Sequence, residues 1–181
     1  MDLSRPWYNQ RTPKPNVTMF ADASVRYSHK TAGWGYWIKG DSRHAHMKGG
    51  PILPYTNDVG LAELIAIKRG LETARDINYF MPDDRVIMIQ SDSMNALTCM
   101  RIVRKSIKVS KHPDSKVGMF QRLNVDIPAA KWEAVKEILI ITDKLGLEIV
   151  VRHVKGHSEG NGRSWVNRMC DRLAKKGAGV I

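Results

Sequence analysis

Four acidic residues stand where a negative charge is costly. Asp22 interrupts the apolar run VTMFADAS of Val17 to Ser24, flanked by Phe20, Ala21 and Ala23, and strand interiors are depleted in aspartate. Asp92 follows the hydrophobic run RVIMIQ of Arg85 to Gln90. Glu63 falls on a stretch where Leu61, Leu64, Ile65, Lys68, Leu71 and Ala74 recur at helical spacing, and Asp171 lies within SWVNRMCDRLAKK, Ser164 to Lys176. Acidic side chains are almost never fully buried without a partner. A cation offsets that cost, and several carboxylate oxygens converging on one point suit Mg²⁺ or Mn²⁺. Singly, each has a plainer explanation: Asp92 as a turn or helix cap, Glu63 and Asp171 as solvated helix positions. Asp22 is the hardest to explain without a cation. Among the histidines, His157 sits in a Gly-His-Ser loop and His153 reads as a structural or surface residue. His44 and His46 alternate along an expected strand, but without cysteine or further histidine nearby they make a poor metal set.

Positioning four such residues requires a mixed fold. The chain has 181 residues and 20.5 kDa, which favours one domain. Its hydrophobic share of 43% and charged share of 26% are ordinary for a globular protein and exclude disorder from end to end. Residues 1–16 read as an irregular tail holding Pro6, Pro13 and Pro15, with Trp7 and Tyr8 as its aromatics, and residues 17–181 as the domain. Strands are expected at Val17 to Ser24, Thr31 to Lys39 and Arg43 to Gly49, joined as an antiparallel meander by turns such as Gly40-Asp41. A helix capped by Asn57 or Asp58 follows, then a buried strand at Arg85 to Gln90. Ser93 caps a helix over Met94 to Arg104. Beyond a basic, turn-rich segment come a helix over Ala129 to Leu145 closed by Gly146, a strand over Leu147 to Val154, and a last helix over Ser164 to Lys176. The fold class is α/β with a mixed sheet. No apolar run reaches the ~18 to 20 residues of a membrane span, and the start has no apolar h-region. Cys99 and Cys170 cannot build a disulfide framework and suit a reducing compartment. The expectation is a cytoplasmic, intracellular protein with no membrane partner, acting as a monomer.

Twenty-nine Lys and Arg against eighteen Asp and Glu give a net charge of +11 and a pI near 9.8. Charge of that sign points to a nucleic-acid partner, whose neutralised phosphates release counterions; a basic surface without a dedicated partner is the plain alternative. The charge is concentrated between Arg101 and Arg122, where seven Lys and Arg, including Arg104, Lys105, Lys108 and Lys111, face the single acid Asp114.

The segments FADAS, AEL at Ala62 to Leu64, QSDS, VKGHS at Val154 to Ser158 and CDRLAKKG at Cys170 to Gly177 occur in that order on the expected elements. Together they resemble the type 1 ribonuclease H family over about Val17 to Gly177. The resemblance implies a ribonuclease-H-like five-stranded mixed sheet of order 3-2-1-4-5, its first three strands antiparallel, flanked by helices. It implies that Asp22, Glu63, Asp92 and Asp171 are catalytic metal ligands for two Mg²⁺ ions, Mn²⁺ being possible in their place, with Asp22 the bridging ligand, and that His157 assists proton transfer or product release. The implied reaction is hydrolysis of the RNA strand of an RNA–DNA hybrid, leaving a 5′-phosphate and a 3′-hydroxyl. Substrate contacts are expected near Ser24 and Asn57. The basic segment, in the position of a family protrusion that grips the hybrid, adds Arg101, Arg104, Lys105, Lys108 and Lys111. Arg168 stands where many members carry a glutamate, and fourteen positions separate His157 from Asp171. Two alternatives stay open: a catalytically idle nucleic-acid-binding module, and a resolvase- or integrase-type nuclease on the same fold.

Overall fold

The computed structural model describes residues 14–109, 126–155 and 162–180, and leaves the side chains of 107–109 and 162–164 undescribed. The three β-prone runs near the start form β1 (Val17–Arg26), β2 (Thr31–Gly40) and β3 (His46–Pro51). Then follow α1 (Val59–Asp76), β4 (Val86–Ser91), α2 (Met94–Val109), α3 (Ala129–Lys144), β5 (Glu148–His153) and α4 (Gly162–Gly177). The strands make one sheet of order β3-β2-β1-β4-β5. Pairing is antiparallel across β1–β2 and β2–β3, and parallel across β1–β4 and β4–β5. This is the mixed sheet expected, and no helix among the described residues is long and apolar enough to cross a membrane.

Strand alternation sorts the two faces. Val17, Met19 and Ala21 are almost wholly buried, and Met19 and Tyr36 meet α1 at Gly70. On the other face α4 lies against β1, β2 and β3. Its approach there is so close that the sheet beneath must be glycine: a Cβ on Gly35 would stand 2.5 Å from the Cys170 carbonyl oxygen, and one on Gly33 2.1 Å from that of Ala174. Gly49 and Gly177 complete the seam, against Leu173 and Gly50.

Several boundaries differ from expectation for local reasons. β3 begins at His46 rather than Arg43, because Arg43 turns away to pair both guanidinium nitrogens with Asp84, at 2.9 and 2.7 Å. His44 is therefore not on a strand, and its carbonyl accepts from the Tyr79 hydroxyl. The α2 helix runs on to Val109 instead of stopping at Arg104; no proline or glycine intervenes before Pro113. Asn16 is bound into the fold, with its N–H on the Val86 carbonyl and its own carbonyl accepting from Asp41. Of the two cap candidates Asp58 serves, its Oδ1 accepting from Leu61 N at 3.1 Å. Ser93 Oγ accepts from Ala96 N, and Gly146 has the positive φ of +69° that closes α3.

The seam predicts that Gly35→Ala forces α4 off the sheet. Urea unfolding is expected to show a loss of about 1–3 kcal/mol, the usual cost of overpacking.

Candidate active site

The register of β1 on β4 explains how two distant acids meet. Val17 to Phe20 pair with Ile87 to Gln90 at a constant offset, and the pairing stops there. Continued two residues further, that offset sets Asp22 opposite Asp92 just where the strands part. Asp22 stays on β1, opposite Gly35 of β2. Asp92 sits between the end of β4 and the start of α2. Its backbone is held by the His153 ring, whose Nε2 lies 3.1 Å from the Asp92 carbonyl oxygen; a carbonyl only accepts, so that nitrogen donates. Serines brace the turn, Ser93 N donating to Ser91 Oγ and Val154 N to the Ser91 carbonyl.

Glu63 reaches the same point from α1, and it is 4% exposed while Asp22 is 9% exposed. One oxygen from each of Asp22, Glu63 and Asp92 lies within 4.8 Å of the others. Asp22 Oδ1 accepts from Ala23 N at 2.9 Å, but Glu63 Oε2 is buried without a hydrogen-bond partner. Burial lifts both the Asp22 and Glu63 carboxyls well above the usual carboxylate range. Next in effect are the negative charges of Asp92 and Asp171 on Asp22, and of Asp22 and Asp92 on Glu63. An orphaned buried oxygen amid hard oxygen donors fits a hard divalent cation such as Mg²⁺ or Mn²⁺.

Asp171 is close enough to act on Asp22 electrostatically, yet it is not one of the three converging groups. Its Oδ2 pairs with Lys175 Nζ at 2.8 Å, one turn along α4, and its side chain is 44% exposed. His157 and Lys111 lie outside the described residues, and the side chain of Lys108 is likewise not described. Ser24 follows Asp22 on the same face of β1, opposite Gly33, and Asn57 is exposed just before α1. Arg101 and Lys105 lie on α2, Lys105 exposed. Arg104 is drawn toward β5, donating to the Ile149 carbonyl and lying 3.5 Å from Glu148 Oε1. The supporting role of His153 toward Asp92 is legible only in three dimensions, since nothing in its sequence neighbourhood marks the partner.

A sheet whose central strand places an aspartate beside two further carboxylates from a helix and a neighbouring strand end is compatible with metal-assisted phosphoryl transfer. Residues 14–179 match the family model described as RNase H, and the chain belongs to that family. Family and fold together imply ribonuclease H activity. Among solved structures, LC11-RNase H1, crystallised in complex with an RNA/DNA hybrid, is similar at 19% identity and a TM-score of 0.58, over 90% of this chain and 96% of that one. The RNase H1 of the halophilic archaeon Halobacterium salinarum NRC-1 is similar at 17% identity and a TM-score of 0.52, over 91% of this chain and 98% of that one. The PFV RNase H domain is similar at 18% identity and a TM-score of 0.61, over 93% and 97% of the two chains. These likenesses establish the shared fold. No curated protein matches the chain by sequence.

The raised carboxyls make stability depend on pH and metal together. A carboxyl whose folded pKa exceeds its unfolded value of about 4 stabilises the fold most below that value, and this contribution is lost as pH rises through the folded pKa. Without divalent metal, Tm is therefore expected to fall between about pH 5 and 8 more steeply in the native protein than in Asp22→Asn. Mg²⁺ is expected to raise the native Tm more at pH 8 than at pH 5, where protons compete. Each kcal/mol recovered corresponds to roughly 2–4 °C in a chain of this size, read by thermal scans with and without chelator.

Proposed function

We propose that this protein is a metal-dependent endoribonuclease that hydrolyses the RNA strand of RNA–DNA hybrids, leaving a 5′-phosphate and a 3′-hydroxyl. The observation that carries the reading is the convergence of Asp22, Glu63 and Asp92 within 4.8 Å, in a chain of the RNase H family. Two Mg²⁺ or Mn²⁺ ions, when bound, supply the Lewis acidity that activates a water and offsets charge on the leaving 3′ oxygen. Asp22, Glu63 and Asp92 would hold them, with Asp171 joining if its carboxylate leaves Lys175.

The chain's own contribution is to fix those oxygens before substrate arrives. The Asp22 carboxylate is tethered by Ala23 N, and Asp92 is set by the His153 contact to its carbonyl. The buried Glu63 Oε2, which no hydrogen bond satisfies, would take a cation as its partner. The net charge of +11 favours a polyanionic substrate, and the hybrid complexes formed by LC11-RNase H1 and by the foamy viral protease-reverse transcriptase are consistent with that class. On α2, Arg101 and Lys105 are the candidates for phosphate contact among the described residues, and Arg104 also donates to the Ile149 carbonyl of β5. We further propose a monomer working in a reducing compartment, in keeping with the free, buried Cys99 and Cys170.

The deciding experiment follows an end-labelled RNA strand presented as RNA–DNA hybrid, RNA duplex, single-stranded RNA and branched or duplex DNA. Cleavage is expected only of the hybrid, only with Mg²⁺ or Mn²⁺, and with 5′-phosphate ends. Asp22→Asn is expected to abolish cleavage, by a factor above ~10³, while hybrid binding persists. Tight hybrid binding without cleavage would identify an idle binding module instead, and cleavage of branched DNA would identify a resolvase-type enzyme. His157→Ala is expected to slow steady-state turnover without abolishing it, and an unchanged rate would remove that histidine from the mechanism.

A further inference from the structure

A cavity of about 550 Å³ opens beside α4, on the face of the sheet that this helix covers in part. Its volume falls in the range of small-molecule sites, and strand register builds its floor. Trp37, Phe20, Gln90 and Arg152 are successive partners across β2, β1, β4 and β5, and Lys39, Thr18 and Met88 form the neighbouring row. Side chains paired across strands share a face, and both rows line the cavity, with Val154 and, from α4, Val166 and Asn167. Phe20 and Met88 are buried. Two carboxamides there are poorly satisfied. Asn167 donates from Nδ2 to the Lys155 carbonyl at 3.3 Å, but its Oδ1 is buried with no hydrogen-bond partner among the described residues. Gln90 Nε2 rests on Met88 Sδ at 3.3 Å, and a thioether is a weak acceptor. Charge is one-sided as well, since Lys14, Lys39 and Arg152 line the cavity beside the single acid Asp41. Lys39 Nζ donates to the Gly40 carbonyl at 2.9 Å, a neutral acceptor that leaves its charge to be offset.

These features define a ligand. Apolar surface beside under-satisfied amides suits a planar heterocycle with donors and acceptors on its edge, the pattern by which asparagine and glutamine read adenine. Aromatic side chains take the faces of such a ring. An excess of cations calls for an anion, and phosphate accepts charge-assisted hydrogen bonds from lysine and arginine. We propose that this cavity binds a nucleoside 5′-phosphate. The base edge meets Gln90 and Asn167, its faces meet Phe20, Trp37 and Met88, and the phosphate meets Lys14 and Lys39. The cavity adjoins the carboxylates without including them. Phe20 is two residues before Asp22 on β1, about 7 Å along the strand, and Asn167 is about one turn before Asp171 on α4. A nucleoside 5′-phosphate occurs as a free nucleotide and as the end residue of a strand that bears a 5′-phosphate. The inference goes beyond the proposed cleavage and does not require it.

The test is isothermal titration of the full-length chain with AMP in chelator, so that no metal recruits phosphate to the acids. Adenosine lacks the phosphate and ribose 5-phosphate lacks the base. Each is expected to bind at least about 10-fold more weakly than AMP, because each forfeits part of the lining. Lys39 is exposed, so Lys39→Gln keeps the fold; it is expected to weaken AMP about 3- to 10-fold, the range of one hydrogen bond, and to leave adenosine unchanged. Gln90→Leu is expected to weaken AMP and adenosine alike. A 5′-phosphorylated tetranucleotide separates the two sources: tighter binding than AMP assigns a strand end, and weaker binding assigns the free nucleotide. Native AMP affinity in both variants would put the nucleotide elsewhere and overturn the proposal. Adenosine binding as tightly as AMP would overturn it too, as would no binding of AMP or the tetranucleotide at about 1 mM. Residues 1–13 lead into Lys14 at this cavity, so AMP binding found only in Trp7→Ser would make Trp7 the occupant and likewise overturn it. Neither assay uses the other's substrate, so a chain that fails to cut hybrid sinks the proposed activity alone, and a chain that fails to bind AMP sinks this site alone.

Discussion

The repulsion and desolvation of Asp22, Glu63 and Asp92 at one end of the sheet is the constraint around which the fold is arranged. Three carboxylates within 4.8 Å of one another cannot all be charged in a dry site without a counter-ion. Burial pushes the protons back onto Asp22 and Glu63, and one Glu63 oxygen is left with no partner at all. Such an arrangement is unstable by itself and persists because the surrounding structure over-determines it, as is common at functional sites. A hard divalent cation would offset that cost, so the strain among the three carboxylates and their readiness to bind a cation would be the same property.

Holding those oxygens requires rigid support from several directions, and the structure supplies it with small residues and backbone contacts. The glycine seam under α4 lets that helix lie on β1–β3, which brings Cys170 against the Phe20 carbonyl and Asp171 within electrostatic reach of Asp22. At the opposite side of the site, the His153 contact locks the β5 end to the turn that carries Asp92. Farther away, the buried Asp84 accepts two hydrogen bonds from Arg43, and further donors from Asn16 and Met81. It ties the strand entry, the β2–β3 connection and the turn before β4 into one corner. A buried carboxylate with this many donors behaves unlike those of the site: its charge is compensated within the chain, and it needs no cation.

That contrast shows where reading residues in order succeeds. Asp22 and Asp84 are both buried acids, but only Asp22 interrupts an apolar strand, and only there does the surrounding pattern announce the cost. Asp84 sits in a turn, where aspartate is commonplace, so its pairing with Arg43, forty-one positions away, leaves no local trace. The start of β3 moved for the same reason, since the pull on Arg43 comes from outside its own segment.

By itself the sequence determined the element types, the order of the sheet, the four acids in play and the sign of the surface charge. All of these but the sheet order follow from periodicity, local motifs and composition, which are properties of short stretches or of sums; the sheet order is what the resemblance to the ribonuclease H family implies. Only the tertiary structure decided which of the acids actually converge. Asp22, Glu63 and Asp92 do so because the β1–β4 register and the packing of α1 bring them to one point, while Asp171 turns to Lys175 through a contact within its own helix. Distances between residues seventy positions apart depend on strand register and helix docking, and those are set by the packed core as a whole.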